Sequence, residues 1–369
     1  MPRYTQLVEQ LPSTVPFVGP ETQERNSGKQ FRTRLGANES IFGPSPRAMA
    51  AMAQAGTECW KYGDPENHDL KQALAAHCNV GPENIVIGEG IDGLLGLLVR
   101  LMVGEGDKVV TSLGAYPTFN FHVSGFGGEL ITVPYVDDAE DPKSLLDAAI
   151  TSQAKLIYFS NPDNPMGSWH DAATVQSLID DVPEGSLLCL DEAYGEFAPD
   201  GVLPEIDVSD ERVIRMRTFS KAYGMAGVRI GYAITHETLA TAFNKVRNHF
   251  WVNKIGQAGA IAALADSEWL EHVKSEVALA KTRISDIAIE NGLKPLPSAT
   301  NFVTIDCCAG GEFAQALVKA LGDLGVFVRM PFVAPQNRCI RISAGMPEDL
   351  DILEECLPKA LKSVRDNLS

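Results

Sequence analysis

Between residues 85 and 234, short apolar runs alternate with longer stretches in which apolar residues recur at helical spacing. The runs at 85–87, 108–111, 129–134, 156–159, 187–190, 213–216 and 230–234 predict strands. The stretches at 91–103, from Pro117 onward, at 142–150 and at 171–181 predict helices. The strand-like runs are nearly continuous, not alternating, as in strands covered on both faces. The pattern therefore predicts an α/β unit with a mostly parallel sheet sandwiched by helices. Ahead of it, Ser45-Pro46 supplies a cap and a first-turn proline before an Ala/Met run, and a second helix is expected over 67–78. Residues 1–35 are polar and Pro-rich with no clear period, and read as an extended arm.

After about residue 245 the period changes. A long helical region is predicted over 255–290, then short strands at 302–305, 326–329 and 339–342, with helices at 312–321 and 347–363. This is the pattern of a smaller α+β domain. The expected division is an arm and entry to the small domain (1–43), a large domain (44–247) and a small C-terminal domain (248–369).

Composition narrows the function classes. The chain has 369 residues, 45% hydrophobic and 21% charged, which is ordinary for a soluble globular protein and too long for one ordinary core. A net charge of −17 argues against nucleic-acid and membrane-surface binding, but a few arginines can still build a local positive pocket. The seven cysteines include no C-x-x-C, and Cys189 lies inside an apolar run, so reduced thiols in a cytoplasmic protein are expected. No H-x-x-x-H pair occurs, and no metal is expected. The first 17 residues lack an apolar core, so no secretory signal is expected. The stretch 91–103 is too short and too charged to span a bilayer.

In an open α/β sheet, ligands bind beyond the carboxyl ends of the strands, and the unusual residues of this chain fall at those ends. Lys221 follows the run 213–216, Thr218 and Ser220 flank it, and Arg229 comes eight residues later. An amine that can form a Schiff base, beside hydroxyls and a guanidinium that can hold a phosphate, is what a pyridoxal phosphate (PLP) enzyme needs. Asp191 ends the run at 187–190, thirty residues before Lys221. Its carboxylate could keep a pyridine nitrogen protonated, a pairing of about 4 kcal/mol at an effective dielectric near 20; the ordinary alternative is a helix N-cap. Gly88-Glu89-Gly90-Ile91-Asp92-Gly93 joins a strand to a helix, so backbone N–H groups at Gly90, Ile91 and Asp92 could bind the phosphate; the alternative is a plain turn. Arg341 alternates with isoleucines and should have a fixed anionic partner. For Arg341 and Arg329 alike, an intrachain ion pair is the competing reading.

The segment from Arg217 to Tyr232 closely resembles the lysine signature of the fold-type I aminotransferases, and within them the histidinol-phosphate aminotransferase family. The similarity holds in order and spacing over roughly residues 33–350. It implies a fold-type I PLP enzyme that moves an amino group between a histidinol phosphate-like donor and a 2-oxo acid by a ping-pong mechanism. It also implies a homodimer with shared active sites. Lys221 would be the Schiff-base lysine and the shuttle for the proton between substrate Cα and cofactor C4′. Asp191 would face the pyridinium and Tyr116 would stack on the ring. Asn161-Pro162-Asp163-Asn164-Pro165-Met166-Gly167 resembles N-P-N-N-P-T-G, with Asn164 at the cofactor's phenolic oxygen and Met166 in place of the usual Thr. Tyr194 could also bond that oxygen. Thr218, Ser220 and Arg229 would complete the phosphate cup. Trp60-Lys61-Tyr62-Gly63-Asp64-Pro65 resembles R-Y-P-D-P, in which Tyr62 would reach the partner's phosphate. Arg341, Arg329 and Asn38 would line the substrate site.

Two departures stand out. Ile91 and Gly93 differ from the usual residues of the 88–93 segment, although backbone contacts survive such changes. Phe17 stands where the family has an arm tyrosine that contacts the substrate phosphate. Phe17 and Trp251 could instead line a pocket for a bulky apolar amino acid, which gives an aromatic amino acid aminotransferase as the alternative. A threonine-phosphate decarboxylase-like lyase shares the fold, but the wording of residues 220–224 favours the transaminase. A non-catalytic regulator would need an added DNA-binding domain, for which the chain has no room.

Overall fold

A seven-stranded sheet forms the centre of the computed structural model, which describes residues 2–13 and 17–368. Across the sheet the strands run Ile85–Gly88, Gly231–Thr235, Val213–Thr218, Leu187–Asp191, Leu156–Ser160, Lys108–Ser112 and Glu129–Val133. Only Gly231–Thr235 is antiparallel to its neighbours. Every residue of Leu156–Ser160 and Leu187–Asp191 is buried, so the continuous apolar runs do mark strands covered on both faces. One face packs on helices His68–Cys78 and Gly90–Met102, with Leu94, Leu98 and Tyr158 in its core. The other packs on Pro142–Ser152 and Ala172–Asp180. Asp141 and Asp171 start those two helices by accepting from the N–H groups of Ser144 and Thr174, as Ser45 does for Ala48.

A second core gathers around the antiparallel strands Lys294–Pro295, Phe302–Asp306 and Cys339–Ser343 and helices Ser267–Glu290, Gly311–Asp323 and Pro347–Leu368. The N-terminal segment is stitched into it. Thr33–Arg34 pairs in parallel with Val326–Phe327, the Leu35 N–H donates to the Phe327 carbonyl (2.8 Å), and the Ser343 N–H donates to the Leu35 carbonyl (2.8 Å).

Four details differ from the sequence expectation. The arm is not simply extended, because it carries helices Gln6–Gln10 and Pro20–Ser27. The second helix has no apolar stripe to announce it. It is held by its ends, with Pro20 in the first turn and left-handed Gly28 after the last, and by ion pairs from Arg34 to Glu21 and Glu24 (both 2.6 Å). The helical region 255–290 is two helices, Lys254–Leu264 and Ser267–Glu290. The first packs Ala260 and Ala263 into the core of the seven-stranded sheet, and a Cβ on Gly259 would lie 2.6 Å from Met52. The strand expected at 326–329 ends at Phe327, leaving a single bridge from Arg329 to Arg341. The last helix continues through Pro358 to Leu368. Among the described residues, no helix is long and apolar enough to cross a membrane, and no cluster of three metal-binding side chains occurs.

Candidate active site

The carboxyl ends of the parallel strands open into a cavity of about 250 Å³. Lys221, Asp191, Tyr116, Asn164, Tyr194 and Arg229 all line it, although they come from four separate strand ends and the connections that follow them. The Lys221 amine donates to the Asn38 carbonyl (3.2 Å) and lies 5.6 Å from the centre of the Tyr194 ring. Asn38 is itself a junction. Its side-chain amide donates to the Tyr194 hydroxyl (3.0 Å) and its carbonyl also accepts from Asn301 (3.1 Å). Its φ of 56° is left-handed, a conformation asparagine tolerates better than most residues.

Asp191 is the last residue of its strand, and the short turn Gly195–Phe197 takes Tyr194, not Asp191, as its N-cap. The capping alternative therefore fails. One carboxylate oxygen accepts from the Tyr158 hydroxyl (2.6 Å) and the other from the Ala193 N–H (3.0 Å). Burial pushes Asp191 up to about 6. A carboxylate held in this way at a cavity wall favours a cation placed against it.

The phosphate-sized end of the cavity is built by glycine and helix geometry. Helix Gly90–Met102 begins there with no side chain capping its free N–H groups. Gly90 has φ 76°, and a Cβ on it would come 2.6 Å from Arg229 Nη2, so only glycine lets the guanidinium approach. Arg229 is anchored by the carbonyls of Ala226 (3.0 Å) and Glu89 (3.3 Å). Thr218 and Ser220 complete the wall. Amine, carboxylate, hydroxyls, helix N-terminus and arginine are a donor set that fits PLP. Tyr116 lines the cavity too, and its hydroxyl donates to Asp92 (2.7 Å).

Arg341 and Arg329 stand side by side across the bridge that joins their backbones. Among the described residues neither forms an ion pair, so the intrachain alternative fails for both. Arg341 Nη1 donates to the Asn164 side-chain oxygen, which turns the Asn164 amide N–H₂ away from the arginine. Arg329 donates to the Val18 carbonyl (2.6 Å) and lies 3.9 Å from the Phe17 ring centre. Burial, with Arg341 beside it, pushes Arg329 down to about 10. The Nε atoms of both arginines and Ser160 Oγ are buried without a partner. Unpaired cations and orphaned donors of this kind suit an incoming anion.

Two expected residues are elsewhere. Tyr62 lies outside the cavity of its own chain, 78% exposed and stacked on Phe250 at 4.3 Å. Trp251 does not line the Lys221 cavity, which corrects the sequence expectation. It is buried behind the sheet edge, where a Cβ on Gly88 would meet its indole at 3.0 Å. An isolated tryptophan after an irregular segment gives no sign of which side of a sheet it will pack.

The model of the aminotransferase class I and II family matches residues 32–355. The chain belongs to that family. Histidinol-phosphate aminotransferase 1 of Mesorhizobium japonicum is 35% identical over 89% of this chain and 90% of its own. An aromatic amino acid aminotransferase of Mycolicibacterium paratuberculosis is also 35% identical, over 87% and 89%. The crystal structure of a histidinol-phosphate aminotransferase from Sinorhizobium meliloti in complex with pyridoxal-5'-phosphate superposes with a TM-score of 0.96. It is 53% identical and is covered over 99% of each chain. An aspartate aminotransferase of Thermus thermophilus shares the fold at a TM-score of 0.82. The resemblance and the fold class read from the sequence are thus borne out. So is the aminotransferase activity.

Sequence reasoning missed several side chains of the aminotransferase site. Tyr158 sits inside an apolar run, where an aromatic residue reads as core. It is core on one side, stacked on Phe119 at 4.4 Å, while its hydroxyl holds Asp191. Ser160, Glu39 and Pro162 also line the cavity. No periodicity marks them, and only the meeting of the strand ends brings them together.

Proposed function

We propose that this chain is a PLP-dependent histidinol-phosphate aminotransferase that passes the amino group to a 2-oxo acid. The observation that carries the reading is one cavity faced by the Lys221 amine, the Asp191 carboxylate and the Arg229 guanidinium, with two unpaired arginines behind it. When bound, the cofactor supplies an aldehyde that takes up the amino group and a protonated ring that draws electrons from the donor's Cα. Lys221 would hold the cofactor, and its amine would serve as the base that takes the donor's Cα proton. Asp191, fixed by Tyr158 and Ala193, would keep positive charge on the ring. Asn164 and Tyr194 offer donors toward the ring oxygen. Tyr116 would pack against the ring, and Thr218, Ser220, Arg229 and the backbone at Gly90, Ile91 and Asp92 would hold the phosphate. Purified protein should be yellow, and borohydride should fix the cofactor on the peptide containing Lys221. A label on any other lysine would overturn the assignment.

Arg341 binds the anionic end of either substrate, with Asn38 holding the pocket wall and Phe17 covering it. Arg329 adds the second cation that a dianionic phosphate can use, each charge-assisted contact contributing about 1.5–3 kcal/mol. Arg329→Ala should therefore lower kcat/KM on histidinol phosphate by roughly one to two decades, at about 1.4 kcal/mol per decade, and leave phenylalanine turnover nearly unchanged. The second reading, an aromatic amino acid aminotransferase, is favoured by Phe17 at the cavity mouth. Wild-type protein that turns over phenylalanine or tyrosine and ignores histidinol phosphate would establish it.

The working unit in this reading is a cytoplasmic homodimer in which Tyr62 reaches the partner's phosphate site. Its support is an exposed aromatic group, Trp60, Tyr62 and Phe250, unusual on a free surface. Mixing Lys221→Ala with Tyr62→Phe protein should restore activity, because one site of each mixed dimer carries neither lesion. Subunit exchange without recovery would refute the shared site. The division into an arm, a large domain and a small domain is likewise proposed. The packing of Lys254–Leu264 favours ending the large domain after that helix.

A further inference from the structure

The two faces of strand Cys339–Ser343 pack on different parts of the molecule. Ile340 and Ile342 point into the second core, and the alternation of a strand turns Cys339 and Arg341 the other way. That other face lies on connections of the seven-stranded sheet. Arg341 reaches Asn164, in the loop after Leu156–Ser160. Cys339 is fully buried in a small apolar plug with Leu296 from its own side and Tyr135 and Met166 from the other. Met166 is the residue that replaces the threonine of the N-P-N-N-P-T-G pattern. The Tyr135 hydroxyl donates to Asp163 (2.9 Å) in the same loop, and the Thr304 hydroxyl, opposite Arg341 on the neighbouring strand, donates to the Pro165 carbonyl (2.8 Å).

Arg338, one residue before the strand, completes this row of contacts. Its Nη1 and Nη2 donate to the two carboxylate oxygens of Asp138 (3.1 and 2.6 Å), which lies between strand Glu129–Val133 and helix Pro142–Ser152. Its Nε donates to Asp306 (2.8 Å), the last residue of Phe302–Asp306, and Asp306 is held in turn by the Cys308 N–H (2.8 Å). Asp306 thus aims the guanidinium, whose planar fork offers its remaining donors to one carboxylate, the strong and directional bidentate geometry. Both side chains of the Arg338–Asp138 pair are about a quarter exposed (26% and 25%), so solvent screens them less than a free surface pair. The backbone at Asp138 is itself strained. Asp137 and Asp138 have φ 50° and 63°, and Val136 and Ala139 exchange N–H···O bonds around them (2.9 and 3.0 Å). The second central position of such a turn ordinarily takes glycine. Another residue persists there when its surroundings over-determine it, and here Arg338 and Gln336 (3.3 Å) both hold the Asp138 carboxylate.

We propose that Arg338 and Asp138 are positioning residues for the substrate site: their ion pair locks the second core onto the seven-stranded unit and so holds Arg341, three residues further on, in place behind the cofactor cavity. With the lock closed the anion site is preformed. Without it the junction opens part of the time and carries Arg341 away from Asn164. A site that is competent for only about a tenth of the time binds about tenfold more weakly. Lys221, Asp191 and Arg229 all belong to the seven-stranded unit, so loss of the lock should weaken substrate and spare the cofactor.

This inference rests on Arg341 as the anion site of the aminotransferase reading, but one readout needs no substrate. Holoenzyme of Arg338→Gln, Asp138→Asn and the double variant is compared with wild type. Hydrogen exchange should quicken at least about tenfold at the Val136 and Ala139 amides, and at the Ala299 amide, which donates across the junction to the Gly167 carbonyl (2.9 Å). Cofactor absorbance and retention on dialysis should match wild type. With histidinol phosphate and 2-oxoglutarate, or phenylalanine if that is the donor turned over, KM for both substrates should rise about tenfold in Arg338→Gln, equivalent to about 1.4 kcal/mol, with a smaller change in kcat. The double variant should be no worse than Arg338→Gln alone, because the two residues act as one pair. If Arg338→Gln does not fold, Asp138→Asn decides, since asparagine tolerates the left-handed backbone and keeps the turn. Unchanged exchange at all three amides would refute the lock whatever the enzyme turns over. Faster exchange with unmoved KM, or KM effects that simply add in the double variant, would rule out the positioning role. Loss of the cofactor from both single variants would make the pair a general support of the fold and overturn the proposal. Arg341→Ala tests the underlying reading separately. Wild-type KM for both substrates in that variant would remove the anion site and the proposal with it, whereas raised KM there beside normal KM in Arg338→Gln would sink the lock alone.

Discussion

Lys221→Ala protein is expected to lose about 10⁴-fold or more in kcat with any donor, because one change removes both the attachment of the cofactor and the base at Cα. At 1.36 kcal/mol per decade that is about 5.5 kcal/mol of barrier. The fold should survive. The amine lies in a cavity and donates one hydrogen bond, to the Asn38 carbonyl, so little packing is lost. The lesion should also leave the phosphate end intact, because Arg229 is anchored by the carbonyls of Ala226 and Glu89 rather than by Lys221. Lys221→Ala protein should therefore still bind PLP, noncovalently and without the borohydride-stable linkage. Measurement is by single-turnover kinetics and cofactor content after dialysis. A variant within tenfold of wild type would remove Lys221 from the mechanism.

Asp191→Asn should be the second most damaging change, costing roughly three decades in kcat with a much smaller effect on KM. A carboxylate against a ring cation contributes about 4 kcal/mol at an effective dielectric near 20, and an amide contributes little of that. The pH dependence follows from the same carboxyl. Burial lifts Asp191 to about 6, so without a cation opposite it the native protein holds this proton more tightly than the unfolded chain does. Its stability contribution is then present in acid and lost as pH rises through about 6. A bound ring cation reverses the preference and holds the carboxylate ionised. Retention of the cofactor should thus weaken as pH falls below about 6 in wild type, and this step should vanish in Asp191→Asn. Dialysis of wild type and variant across that range, followed by absorbance, checks both. An Asp191→Asn enzyme of near-normal kcat would leave the carboxylate with a structural role only.

Legibility in the sequence tracked how local the cause was. The parallel sheet could be read because strands buried on both faces must be apolar at every position, as Leu187–Asp191 is. Helix starts at Ser45, Asp141 and Asp171 could be read because capping is settled within three residues. The arm helix Pro20–Ser27 could not, since ion pairs to Arg34 and a C-terminal glycine hold it in place of an apolar stripe. The break after Leu264 was hidden because both halves have helical periodicity, and only their different cores separate them.

By itself the sequence determined the chemical parts: a lysine, an aspartate and an arginine at the ends of apolar strands, each next to residues that suit one role. Those choices are local, because the strand that ends at Asp191 or just before Lys221, and the one that begins just after Arg229, aims each residue. Tertiary structure alone decided their surroundings. It placed Tyr158 against Asp191, removed Trp251 from the cavity, and left Arg329 and Arg341 outside any ion pair among the described residues. Each of these depends on which distant segments meet, and so on the free energy of packing the whole chain, which no window of neighbouring residues contains.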